Sequence, residues 1–167
     1  MDVVDDVHSF VSRVVRVAVE STDASPDTVL VAQLLCAVAD GDTFLIEETA
    51  ETIRNRGTDE PFERVDIASS PFNILHYASI APTAKSMEKV LLLEKDLERV
   101  TPIDVCATST SKGAANGATP LHIVAIRGLF PEAKMLIAAG ADPRAVRQKH
   151  ITVVHDATNA LERALPS

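Results

Sequence analysis

The stretch ATPLHIVAIRGLFPEAKMLIAAGADP, Ala118 to Pro143, decides how the chain is read. Thr119 is placed to cap a helix with its hydroxyl, and Pro120 sits in the first turn, where a missing N–H costs nothing. Leu121, Val124 and Ala125 line one face of that helix, and Gly128 ends it. Ala133, Leu136 and Ile137 form the apolar stripe of a second helix, which Gly140 closes. Each helix is about two turns long, too short to hold its shape alone in water. The pair must be covered by neighbours.

The neighbours are further copies of the same pattern. Thr152-Val153-Val154-His155 repeats Thr119-Pro120-Leu121-His122 at a distance of 33 residues. Upstream, Asn73-Ile74-Leu75-His76-Tyr77-Ala78-Ser79 opens another copy, whose second helix carries Met87, Val90 and Leu91, with Pro82 in place of the inter-helix glycine. A divergent copy begins at Leu34-Leu35-Cys36-Ala37, keeps the Gly41-Asp42 break and continues through Ile46 and Ile53. The starts at 34, 75, 121 and 154 are spaced by 41, 46 and 33, so two junctions carry about 8 and 13 extra residues over the 33-residue period. Thr119-Pro120-Leu121-His122, Ala125, Gly128, Leu136 and Gly140-Ala141-Asp142 together resemble an ankyrin repeat, and the resemblance runs from about Val29 to Leu165.

The resemblance implies an all-α solenoid of stacked helix-turn-helix units. Repeats are expected over 29–66, 67–112, 113–145 and 146–167, the last truncated, all in a single domain. Val3, Val4, Val7, Phe10, Val11, Val14, Val15 and Ala18 share a helical face, and Asp2, Asp5 and Asp6 favour the start of that helix. Residues 1–28 therefore read as a capping helix over the first repeat, ended by Ser25-Pro26-Asp27.

Composition narrows the function. No apolar run reaches membrane-spanning length, and an acidic start is unlike a signal peptide. Cys36 and Cys106 are too few and too separated for a zinc site and read as reduced thiols of a cytoplasmic or nuclear protein. The net charge of −8 is uneven: residues 1–66 hold 15 acids and 5 bases, a balance of −10, and the remainder holds 9 acids and 11 bases, a balance of +2. Such a bipolar molecule could steer a partner, although a charge balance speaks first to solubility.

The chemistry of sites is sparse. His76, His122 and His155 fall at one repeat position, where the resemblance gives histidine a structural role bracing adjacent turns. His150 and His155 lack a third ligand at metal spacing, and Asp156 beside His155 lacks a nucleophile. Gly113 and Gly117 lack the ending of a phosphate loop. No catalytic residue, cofactor site or metal site is expected. Arg144, Arg147 and Lys149 form one basic cluster without interleaved aromatics, which argues against nucleic acid.

By resemblance, the chain is a non-enzymatic module, monomeric by itself, that binds a protein or peptide on its concave face. Ile80, Ala81, Ile126 and Arg127, with Arg144, Arg147, Gln148 and Lys149 in the last finger, are the expected contact residues, with Tyr77 as an aromatic candidate. The alternatives are a small enzyme with its site in the long loops and a structural subunit of a larger assembly. The loop Thr108 to Asn116 is small and polar and reads as mobile; the charged insertion Arg56 to Arg64 carries Phe62.

Overall fold

The computed structural model describes residues 2–20, 26–56, 70–96, 104–147 and 150–164. One continuous helical segment opens the chain: α1 (Val3–Phe10), a π-helical turn (Val11–Val15) and α2 (Arg16–Glu20). Three helix pairs follow: α3 (Pro26–Asp40) with α4 (Thr43–Arg56), α5 (Ile74–Ser79) with α6 (Ala84–Asp96), and α7 (Pro120–Ile126) with α8 (Phe130–Ala138). A two-stranded finger, β1 (Val146–Arg147) and β2 (Ile151–Thr152), leads into α9 (Val153–Ala164).

The pairs stack in chain order. The first helices α3, α5, α7 and α9 pack in succession as one layer, and the second helices α4, α6 and α8 form the other. Between the layers lies one apolar cluster containing Leu34, Leu35, Ile46, Ile53, Leu75, Met87, Val90, Leu121, Ile123 and Leu136. Ile137, expected beside Leu136, is exposed instead, because Ala133 and Leu136 already turn the inward face of α8 to the stack and the next residue rotates by about 100°.

The recurring Thr/Asn-x-x-His element is a cap. Thr119 Oγ1 accepts from His122 N–H at 3.4 Å, and His122 Nδ1 accepts from Thr119 N–H at 3.2 Å. Asn73 with His76 and Thr152 with His155 close the same reciprocal pair. Each short helix thus starts with two of its orphan donors satisfied. Gly128 (φ 68°) and Gly140 (φ 107°) take the left-handed conformation that ends α7 and α8, as their positions in the sequence require.

The same histidine ties one pair to the next. With Nδ1 accepting, His76 Nε2–H donates to Ala118 O at 2.8 Å, reaching from α5 to the turn that precedes α7. Burial pushes the pKa of His76 down to about 4. His122 sits likewise beside the Ala145 and Ile151 carbonyls, and burial lowers its pKa as well. The terminal His155 is exposed. All three side chains cap their own helices, and the bracing between turns is made by His76, while His122 Nε2 is buried without a hydrogen-bond partner among the described residues.

Arginines reinforce the joints. Arg127 donates to Ser79 O at 2.8 Å and Ala81 O at 2.9 Å, satisfying carbonyls at the end of α5. Arg163 on α9 does the same for Ile126 O of α7 at 2.8 Å. A cation at a helix C-terminus meets both the open carbonyls and the negative end of the dipole.

The opening segment covers more than the first pair. Val3, Val7, Val11 and Val15 are all buried, at a strict spacing of four. In an α-helix four residues turn about 400°, so such a row drifts by about 40° at each step. The π turn, closed by Arg16 N–H to Val11 O, widens the helix where this drift would carry Val15 off the face. The segment then runs the length of the stack. Arg16 pairs with Asp40 at the end of α3, Phe10 stacks edge-on against Phe72 before α5 (5.6 Å, 76°), and Asp6 reaches the turn before α7. Asp2 caps it in a capping box with Asp5.

Candidate interaction surfaces

The inner face, formed by the first helices and the fingers, is where the sequence places binding. Ile80 and Ala81 are 2% and 3% exposed, so neither offers contact area. Their backbone turn is held by Arg127, whose guanidinium is occupied by carbonyls and whose pKa is lowered by burial. Tyr77 is fully buried, its hydroxyl 3.0 Å from Ser70 Oγ and its ring edge-on to Phe72; burial raises its pKa. These four positions correct the sequence expectation. Residues at the end of a six-residue helix face the next pair, because so short a helix has little surface that is not shared.

Arg147 is also engaged. Its Nε and Nη2 donate to the two carboxylate oxygens of Asp156 at 2.9 and 2.8 Å, with the two side chains only 12% and 3% exposed. This bidentate pair fixes the finger onto α9. Arg144 stands free in solvent apart from Asp142, whose pKa is lowered first by the hydrogen bond from Arg144 N–H. Gln148 and Lys149 lie outside the described residues, as does the insertion carrying Phe62. Ile126 is half-buried and lines a cavity of about 250 Å³ with Asp2, Val3, Ala114, Arg147, Asp156, Asn159 and Arg163.

The polar loop before α7 is ordered, contrary to its reading as mobile. Ser109 N–H donates to Ala118 O at 2.8 Å and Gly117 N–H to Ser109 O at 2.9 Å, closing the loop as a finger, and Thr110 N–H donates to Pro71 O at 3.1 Å in the preceding turn. Inside it, Ser111 N–H donates to Ser109 Oγ (3.0 Å), Gly113 N–H to Ser111 Oγ (3.1 Å) and Asn116 Nδ2 to Ser111 O (2.8 Å). Asp6 Oδ2 then accepts from Ser111 Oγ at 2.7 Å and Ala115 N–H at 2.9 Å. A Cβ on Gly113 would stand 2.7 Å from Asp6 Oδ2, so glycine is what lets the carboxylate in.

Two other surfaces stand out. A groove of about 930 Å³ lies between α2, α3 and α4, with half-buried Cys36 and the Arg16–Asp40 pair in its wall; burial raises the Cys36 pKa. Large apolar side chains are exposed at the starts of two second helices, Phe44 and Phe130, and on α9, Val154 and Leu161. Among the described residues, α9 has no second helix of its own, and no helix is long and apolar enough to cross a membrane.

No curated protein matches the chain significantly. The ankyrin-repeat family model matches residues 116–148, which take in the end of the finger loop, α7, α8 and the start of the next finger. Residues 116–148 are therefore an ankyrin repeat, and two earlier helix pairs and a later first helix stack on that matched unit in the manner of further repeats.

Proposed function

We propose that the chain is a non-enzymatic adaptor, scaffold or inhibitor of the cytoplasm or nucleus, binding a protein or peptide on the inner face of its stack. Ankyrin repeats serve as protein-interaction modules, which supports the general reading. The observation that carries the finer one is that this face already seats a helix: α1, the π turn and α2 lie across the first helices through a row of valines, a carboxylate held in a loop and an arginine–aspartate pair. A face built to receive one helix has the apolar floor and polar end-stops that recognition of another requires.

The accessible part of the expected contact set is the last finger at Arg144, with Gln148 and Lys149 beside it in sequence. Affinity capture with the full chain tests the reading. Arg144→Glu with Lys149→Glu is expected to slow association of a captured partner while leaving the fold intact, and more strongly at low salt. Arg147 is unsuitable for that test, because reversing it would strand Asp156. Capture that is specific yet indifferent to the double variant would remove the finger from the site.

A second reading, a subunit stabilised within a larger assembly, is favoured by the exposure of Val154 (64%) and Leu161 (55%), seven residues apart on the terminal helix. Light scattering of the purified chain decides it: a monomer at micromolar concentration would set it aside.

A further inference from the structure

We propose that the seat beneath α1, the carboxylate cradle at Ser111–Ala115 and the adjoining inner face of α7 and α9, is the docking site for an acidic amphipathic helix of a partner protein, and that residues 2–10 occupy it in that partner's absence. The inference rests on the reading of the chain as a binding module and specifies what it recognises.

The cradle is built before its ligand arrives. Hydrogen bonds internal to the loop hold Ser111, and Ala118 N–H donates to Ala115 O at 3.0 Å, so both donor residues are fixed by partners other than Asp6. Its two donors converge on one oxygen, and Gly113 supplies the clearance. The groups reaching that oxygen are a hydroxyl and an amide, which suits the single charge of a side-chain carboxylate. Preorganisation of this kind lowers the cost of binding.

The present occupant is attached at separate points, Val3 and Val7 in the core, Asp6 in the cradle and Phe10 on Phe72. Packing along the length of a repeat helix begins with the π turn and α2, which lie on α3 although α2 buries no side chain of its own. The π turn therefore divides a held half, anchored by Arg16 on Asp40, from a half that can swing away. Val3 also under-fills its place, since the 250 Å³ cavity opens beside it toward Ile126 and Arg163. A competing helix with the pattern Val3-x-x-Asp6-Val7, but with a leucine or larger apolar residue at the first position, would keep the carboxylate contact and fill the gap.

The probe is a fluorescein-labelled peptide with the sequence of residues 2–20 and Val3→Leu. Full-length Asp6→Ala chain, whose own α1 is unlatched, is expected to bind it at least tenfold more tightly than wild type in fluorescence polarisation. A peptide that also carries Asp6→Asn is expected to lose about tenfold. Equal affinity of the peptide for the two chains, or of the two peptides for one chain, would overturn the proposal. Should Asp6→Ala fail to fold, hydrogen exchange on wild type takes its place: amides of 3–10 are expected to exchange well before those of 26–40, and equal protection of both would overturn it. A captured partner that the peptide does not displace refutes this site and leaves the module reading standing. Peptide binding without any captured partner sustains the site and counts against the module reading.

Discussion

Acidification is expected to weaken the fold through His76, and the amount follows from the geometry. The imidazole is fully buried, with Nδ1 accepting from Asn73 N–H at 3.0 Å and Nε2–H donating to Ala118 O at 2.8 Å. That neutral tautomer uses both nitrogens, and although Asn73 Oδ1 stands 2.9 Å from Nδ1, a charged imidazolium would lose its hydration in so enclosed a site. Burial accordingly holds the pKa at about 4, below an ordinary value of 6.5. The unfolded chain takes up the proton as pH falls through about 6.5, and the folded chain resists until about 4, so stability is whole above the first value and drains away between the two. At pH 5 the gap is about 1.5 pH units, or about 2 kcal/mol, and the full span is about 3 kcal/mol. His122, shifted in the same direction by burial, adds to the loss. Carboxylates also titrate at the acid end, so the measurement is a comparison: urea unfolding followed by circular dichroism at pH 7, 6 and 5 for wild type and His76→Gln, whose side chain does not titrate. Wild type should lose about 2 kcal/mol more than the variant between pH 7 and 5. Parallel losses, or an imidazole pKa near 6.5 by NMR, would refute the reasoning.

Other perturbations reach different parts of the stack. Leu121→Ala removes a side chain that is 1% exposed between two pairs and should cost about 2–5 kcal/mol in chemical denaturation, and a loss below about 1 kcal/mol would put the wrong face inward. Asp156→Ala leaves Arg147 with an uncompensated charge in a mostly buried site and should cost about 3–5 kcal/mol, whereas Arg147→Met with Asp156→Leu should cost much less. A double change that costs as much as the single one would show that the stranded Arg147 charge is not the source of the loss. Gly41→Ala meets a positive φ of 76° and places a Cβ 2.9 Å from Thr83 Cγ2, so it should destabilise by about 1–3 kcal/mol, with part of the loss recovered by Thr83→Ala.

The parts of the fold that were legible in the sequence are those specified by short-range chemistry. Thr119, Pro120, Gly128 and Gly140 each dictate a local backbone state, and together they mark two helices to within a residue or two. The 33-residue recurrence then supplies the stacking, because a helix as short as α5 or α7 needs neighbours on both sides. The histidines were legible for the same reason: a residue recurring at one repeat position performs one repeat function.

What escaped the sequence is set by contacts across long separations. The valine row at 3, 7, 11 and 15 announces a buried face but not its destination, since the same stripe fits a cap over one pair or a strap along several. Asp6 decides between them, and its partners lie 105 and 109 residues away. The loop Thr108–Asn116 reads as solvated because its polar atoms are visible in sequence and their mutual satisfaction is not. Arg127 misleads similarly: a cation just before a glycine looks like surface, yet the open carbonyls at the end of a short helix attract such a group. The engaged residues Arg127, Arg163 and Asp6 share one property. Each is a charged side chain whose role is to satisfy groups that short helices and tight fingers leave open, and a solenoid of such helices multiplies those groups with every repeat. Charge on this chain therefore reports joints as often as it reports surface, and the search for its partner begins where a joint, the Asp6 cradle, is formed by a segment that can leave.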